Sequence, residues 1–181
     1  MKNAWIREWL IAGALVLAVA GAAGTLSTAT FAKSPGGAAE EAVPDAYTLT
    51  SHFTRVVVVR MKNQVDMLEG LRTAVAREKI KNAVILSGVG SLVSYHVHVV
   101  SNTTFPSTLA FTKEEGPFDL ISTNGYVLDG AIHCHITMAT PQKALGGHLE
   151  LGTRVFTFAI VTLGVLDDST SLKRFDDKNW R

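Results

Sequence analysis

Cysteine and net charge are what this sequence has least of. Its 181 residues include one cysteine, Cys134, and 17 basic and 16 acidic side chains leave a formal net charge of +1. A single cysteine excludes a disulfide within the chain and a cysteine-rich metal knuckle. The near balance of charge lacks the basic footprint typical of nucleic-acid binding. The composition therefore favours one ordinary globular domain with a sizeable core.

The N-terminus has the layout of an export signal. Lys2 and Arg7 precede the uncharged run LIAGALVLAVAGAAG, after which small-residue cleavage sites follow. The apolar run is shorter than the roughly 20 residues that a membrane-spanning helix needs. We therefore expect residues 1–32 to be a cleaved signal and the protein to be periplasmic or secreted. The alternative is a retained N-terminal anchor, which would be the protein's one contact with a membrane.

The rest of the chain predicts a linker followed by one α+β domain. Residues 33–46 lack apolar periodicity and predict a flexible linker, and 47–181 predict a single domain. Within it, 64–79 have apolar residues at helical spacing, with Asp66 as the N-cap. About eight short strands make up the remainder, with a turn or bulge at residues 88–90. We expect a curved mixed, mostly antiparallel sheet with the helix packed against it.

Three histidines fall within one short stretch, GAIHCHITMATPQKALGGHLELG. Residues two apart on a strand share a face, so His133 and His135 point the same way. The segment TPQK at 140–143 is a natural reversal between two strands. With Pro-Gln at its tip, His135 lies opposite His148 and His133 lies opposite Glu150. Side chains opposed in this way are about 5 Å apart at Cβ, so three imidazoles would converge on one face.

Converging imidazoles have a clear chemical use. Three neutral imidazoles bind a divalent ion such as zinc and leave a fourth position open for water or a small ligand. Gly146 and Gly147 would let the backbone approach a ligand or bulge the strand. Glu150 could be a fourth ligand, a residue that orients a ligand, or a general base. The rival interpretation is that the histidines are polar side chains scattered on a sheet surface.

Three further residues of metal-binding types, two histidines and the cysteine, are interpreted as lying outside the metal site. His96 and His98 repeat the same spacing on an earlier strand, and we interpret them as solvent-facing or structural. Cys134 is out of phase with the histidines beside it, so we expect a small buried side chain rather than a ligand.

Several segments resemble the PPC domain, the plant-and-prokaryote conserved domain. The most specific are SGVGSL, GPFDLIS and the pair of HCHI with GGHL, and the similarity runs from about Arg55 to Asp177 in the family's order. The resemblance implies an α+β domain that assembles as a homotrimer. Prokaryotic members carry an HxH and a GGH that look like a metal-binding trio, which fall here on His133, His135 and His148.

The chain also departs from the family. Plant members join this domain to an AT-hook, a basic minor-groove binder, but no Arg-Gly-Arg-Pro segment occurs here, so DNA binding does not carry over. The family usually has an acidic residue in its last strand, where this chain reads FAIVTL, with Ile160 near that place. An export signal differs from the family's usual intracellular setting.

We therefore predict an exported, trimeric PPC-domain protein that binds a divalent metal, zinc being the expected ion, through His133, His135 and His148. Its ligand or substrate is left open, and a small molecule is a possible partner. One alternative is a DNA-binding protein, as the family label implies. Another is a metal-dependent hydrolase with Glu150 or Asp129 as its base. A third is an assembly module without a metal.

Overall fold

A computed structural model describes residues 44–176, which form six strands, one α-helix and a short 3-10 helix. The signal at 1–32 and residues 33–43 of the linker lie outside the described residues. Among the described residues, no helix is both long and apolar enough to cross a membrane. The elements in chain order are β1 (Phe53–Lys62), α1 (Met67–Arg77), β2 (Ala83–Val100), β3 (Leu109–Leu128), β4 (Ala131–Ala139), β5 (Ala144–Leu149), β6 (Arg154–Leu166) and the 3-10 helix (Lys173–Asp176).

The strands form one sheet in the order β1-β6-β2-β3-β4-β5, and every pairing in it is antiparallel. β5 also pairs with β2, so β2, β3, β4 and β5 close on themselves. This closure places β5 between β4 and β2 and decides which side chains surround it. The predicted α+β class, with a mostly antiparallel sheet and one main helix, is confirmed.

The predicted number of strands is wrong, because β2 and β3 are each one long strand where the sequence suggested several. In β2 the pairing with β6 shifts register between Ile85 and Ser87 and again between Gly90 and Leu92. The glycines at 88 and 90 thus lie in a bulged strand, the second of the two outcomes expected there. A bulge bends a strand without ending it.

The helix is shorter than predicted but begins as expected. Asp66 is its N-cap, with a side-chain oxygen accepting a hydrogen bond from the Glu69 N–H at 3.1 Å. Gln64 (φ 66°) and Lys79 (φ 52°) have left-handed backbones, which exclude both from the helix. One face of α1 is buried against the sheet by Met67, Leu68, Leu71, Ala74 and Val75.

The sheet has an inner face toward the core and an outer face that is unusually apolar. On β4, Cys134, Ile136 and Met138 are buried, so the alternate residues point outward. On the outer face, Val58 is 63% exposed and Phe158 is 37% exposed. Further exposed apolar side chains are Val56, Leu86, Val89, Ile121, Tyr126 and Phe156.

Candidate metal centre

The predicted hairpin and its register are present. The Thr140 N–H donates to the Lys143 carbonyl oxygen at 2.8 Å, which closes the reversal between β4 and β5. His135 pairs directly with His148, as predicted. The predicted pairing of His133 with Glu150 is wrong: β5 ends at Leu149, and the Glu150 N–H donates to the His96 carbonyl of β2 at 3.0 Å. Beyond His148 the chain therefore bonds to β2 instead of β4.

Two glycines allow β5 to fit between its neighbours. A Cβ built on Gly146 would lie 2.5 Å from the Ile136 carbonyl oxygen of β4. A Cβ on Gly147 would lie 2.7 Å from the His98 carbonyl oxygen of β2. Both distances are too short for real atoms, so the close approach of three backbones requires glycine at both positions. As a result His148 lies between His135 on one side and His98 on the other.

The three predicted imidazoles form a compact triangle. The ring centroids of His133 and His135 are 5.3 Å apart, those of His133 and His148 are 4.9 Å apart, and those of His135 and His148 are 5.3 Å apart. The Nε2 atoms of His133 and His135 lie 3.3 Å from each other. Nitrogens bound at about 2.0–2.1 Å to one tetrahedral zinc would be about 3.4 Å apart, with ring centroids about 5 Å apart. The spacing of the His133 and His135 nitrogens matches this requirement, and the three centroid distances are close to 5 Å.

His98 and Glu150 lie beside the three predicted histidines, and His98, interpreted from the sequence as solvent-facing or structural, is packed among them. His98 Nδ1 is 2.7 Å from Glu150 Oε1, and His148 Nδ1 is 3.6 Å from the same oxygen. The His98 ring stacks on the His148 ring, with centroids 4.5 Å apart and planes 22° apart. His96 does have a structural role, because its Nδ1 lies 2.8 Å from the Leu151 carbonyl oxygen. The pairing of β2 with β5, two strands distant in sequence, places His98 in this cluster. No local sequence pattern predicts its position.

Two sets of potential ligands thus share His148. The ligand atoms of His98, His148 and Glu150 lie within 4.8 Å of one another and could hold a metal ion. The stacked rings of His98 and His148, however, have lone pairs in nearly parallel planes. His148 instead meets His133 at 83° and His135 at 81°, as imidazoles do when they approach one point from different directions. The rings of His133, His135 and His148 thus approach one another from different directions, whereas the three ligand atoms that lie within 4.8 Å of one another are those of His98, His148 and Glu150.

The electrostatics of the cluster favour the neutral form of two imidazoles, His135 and His148. Burial is the main cause that lowers the pKa of His148, and the neighbouring His98, His133 and His135 lower it further, against an opposing effect of Glu150. Burial also leads the lowering of the pKa of His135, followed by His133 and His98. Only a neutral imidazole can donate a lone pair to a metal. His148 Nδ1 is buried and has no hydrogen-bond partner among the described residues. Two neutral imidazoles of this kind fit the donor chemistry of a divalent ion.

Three other residues from the sequence predictions lie apart from this cluster. Cys134 is buried, as expected, and burial raises the pKa of its thiol to about 12. Asp129 lies in the tight turn between β3 and β4, where its N–H donates to Asn82 Oδ1 at 2.9 Å. Ile160 lies within the sheet, in β6 between Arg60 of β1 and Val89 of β2.

A cavity of about 750 Å³ opens beside His133 and His135. This size is within the range of about 300–1,000 Å³ that small-molecule sites occupy. Its wall combines apolar side chains with a few polar ones near the histidines. The main lining side chains are Phe53, Leu128, Leu166, Leu172, Phe175, Asn124 and Tyr126.

The sequence identifies the family of this chain. Residues 48–167 match the Plants and Prokaryotes Conserved (PCC) domain, the family called PPC above, and the chain belongs to it. No curated protein matches the chain in sequence.

Solved structures share the fold over about two thirds of this chain. A hypothetical protein from Salmonella enterica is 25% identical, with a TM-score of 0.56 over 66% of this chain and 81% of its own. A metal-containing protein from Archaeoglobus fulgidus is 18% identical, with a TM-score of 0.59 over 66% and 86%. A plant- and prokaryote-conserved protein from Pyrococcus horikoshii is 22% identical, with a TM-score of 0.57 over 71% and 90%.

Proposed function

We propose that this protein is an exported, trimeric PPC-domain protein whose function is to bind one divalent metal ion per chain, with zinc as the ion. His133, His135 and His148 are its ligands. The observation that carries the proposal is the 3.3 Å separation of the His133 and His135 Nε2 atoms within a triangle of three rings. A borderline divalent ion bound by three neutral imidazoles keeps an open position for water or a ligand oxygen.

The surroundings of the cluster support a ligand-binding role for the ion. The lowered pKa values of His135 and His148 keep both rings neutral at physiological pH, so little proton release accompanies binding. The adjacent cavity offers room for a small molecule beside the open position. The Archaeoglobus protein with the same fold contains a metal, which agrees with this role.

Assembly and export complete the proposal. The exposed apolar side chains on the outer face of the sheet support an interface there, because large exposed apolar patches are typical of protein interfaces. A threefold assembly, as the family resemblance implies, would cover them. The charged N-terminus followed by an uncharged apolar run supports export of the domain.

The alternatives receive less support from the described residues. A metal-dependent hydrolase would need a base near the ion, but Glu150 is engaged by His98, and Asp129 lies in the β3–β4 turn. DNA binding, which the plant members of the family suggest, would need a basic surface, and the chain has a formal net charge of +1.

The experiment that tests the proposal is metal analysis by plasma mass spectrometry on mature protein purified without an affinity tag. We expect about one zinc per chain in the wild type and a loss of zinc in His135→Ala and His148→Ala. His52→Ala is the matched control, because His52 is exposed and lies outside the cluster. A wild-type protein that stays metal-free after incubation with zinc would exclude the site.

A further inference from the structure

We infer that Glu150 is the positioning residue of the metal site. Its carboxylate accepts a hydrogen bond from the Nδ1–H of His148, on the side of the ring away from the ion, and so keeps Nε2 directed toward the ion. The inference rests on the proposed function. Glu150 and His98 together position His148, and they do not bind a second ion.

Glu150 lies between two imidazole nitrogens. Its Oε1 accepts a hydrogen bond from His98 Nδ1 at 2.7 Å and lies 3.6 Å from His148 Nδ1. His148 Nδ1 is buried and has no partner among residues 44–176, while Glu150 Oε1 is its nearest acidic neighbour there. A buried N–H without a partner is unfavourable, so a small movement that closes this gap is favoured. A bond from Nδ1–H to the carboxylate leaves Nε2 with the lone pair.

A carboxylate in this position has a known physical effect on a metal ligand. Metal-binding histidines almost always donate their other N–H to a carboxylate or carbonyl, which sets the tautomer and the ring orientation. The carboxylate also makes the imidazole a stronger donor.

His98 fixes the carboxylate and the ring together. Its Nδ1 bonds to Glu150, and its ring covers one face of His148 at a centroid distance of 4.5 Å. On its own other side it contacts the ring of Phe111, at a centroid distance of 5.2 Å. His98 is thus packed between two rings. Because these contacts come from β2, the closure of the sheet by the β2–β5 pairing builds the support for the ligand on β5.

The test compares zinc affinity, measured by chelator competition, in wild type, Glu150→Gln and Glu150→Ala. We expect one ion per chain in all three proteins and an affinity lowered by about 10- to 100-fold in Glu150→Ala. Glu150→Gln keeps the shape and an acceptor oxygen, so its loss should be smaller. The matched control is Glu69→Ala, which removes an exposed helix carboxylate paired with Arg72.

Nitrogen-15 NMR of the histidine rings gives the second readout. In wild type we expect His148 to carry its proton on Nδ1 before zinc is added and to bind zinc through Nε2. In metal-free Glu150→Ala that tautomer should lose its preference. This measurement needs only a folded protein.

The possible failures are distinguishable. Wild-type protein that binds no zinc would overturn the proposed function and this inference together. One ion with unchanged affinity in Glu150→Ala, or binding through Nδ1, would overturn the inference alone. Two ions in wild type and one in Glu150→Ala would also overturn it, by making Glu150 a ligand of a separate ion.

Discussion

His135 and His148 face each other directly across β4 and β5, with ring centroids 5.3 Å apart and planes at 81°. This pair joins the two motifs that the sequence separates by a reversal, HxH and GGH. Since each strand alternates its faces, the same pairing also directs Cys134 and Ile136 into the core. The metal-binding face and the core of the domain are therefore set by one register.

Gly147→Ala should destabilise the protein and weaken zinc binding. The added Cβ would meet the His98 carbonyl oxygen at 2.7 Å and Val97 Cβ at 3.1 Å, so β5 and β2 must separate. Overpacking of this kind costs about 1–3 kcal/mol, which we expect as a lowered melting temperature in calorimetry. Ala144→Ser, at an exposed position of the same strand, is the control. An unchanged melting temperature would show that the strands tolerate the separation.

The stability of the metal-free protein should fall as the pH drops through the range of histidine titration. The pKa values of His135 and His148 are lowered in the folded state, chiefly by burial, whereas the unfolded chain has a histidine pKa of about 6.5. Below that pH the unfolded state therefore binds more protons than the folded state. The free energy of unfolding decreases as the pH falls, until the pH is below the pKa values of the histidines in the folded state. Above about pH 7.5 both states are neutral and the effect vanishes.

Urea denaturation in the presence of a chelator measures this dependence. Between pH 8 and pH 5 the midpoint should fall less in the double variant His135→Gln, His148→Gln than in wild type. The pH 8 values provide each protein's own reference. Equal slopes in the two proteins would contradict the assignment of the effect to these rings.

A charge on the outer face should prevent assembly. Val58 and Phe158 lie exposed on neighbouring strands, and burying an aspartate in an interface without a partner is costly. We expect wild type to have three times the chain mass in light scattering and Val58→Asp or Phe158→Asp to be smaller. Thr73→Asp on the exposed side of α1 is the matched control. Wild-type protein that is monomeric would contradict the proposed trimer.

Cys134 should be unreactive in the native protein. Its thiol is buried and its pKa is raised to about 12, so roughly one molecule in 10⁴ carries a thiolate at pH 8. A chromogenic disulfide reagent should label one thiol per chain in urea and almost none without it. Cys134→Ala should keep the zinc content of wild type. Rapid native labelling, or loss of zinc in this variant, would contradict a purely packing role.

Much of the fold could be predicted because the responsible forces are local. Apolar residues at helical spacing predicted α1, and Asp66 caps it as its side-chain chemistry requires. The count of strands was harder, since glycines at 88 and 90 can end a strand or bulge it. Only the pairing of β2 with two neighbours selects the bulge.

The sequence by itself determined that His133, His135 and His148 share one face, because strand alternation and a short reversal leave little freedom. Only the tertiary structure determined which residues support these three histidines. Glu150 lies within two residues of His148 in the chain. Its hydrogen-bond partner His98 is about fifty residues away and lies beside it because β5 pairs with β2. A contact between strands so distant in sequence depends on the packing of the whole sheet, and no local pattern encodes it.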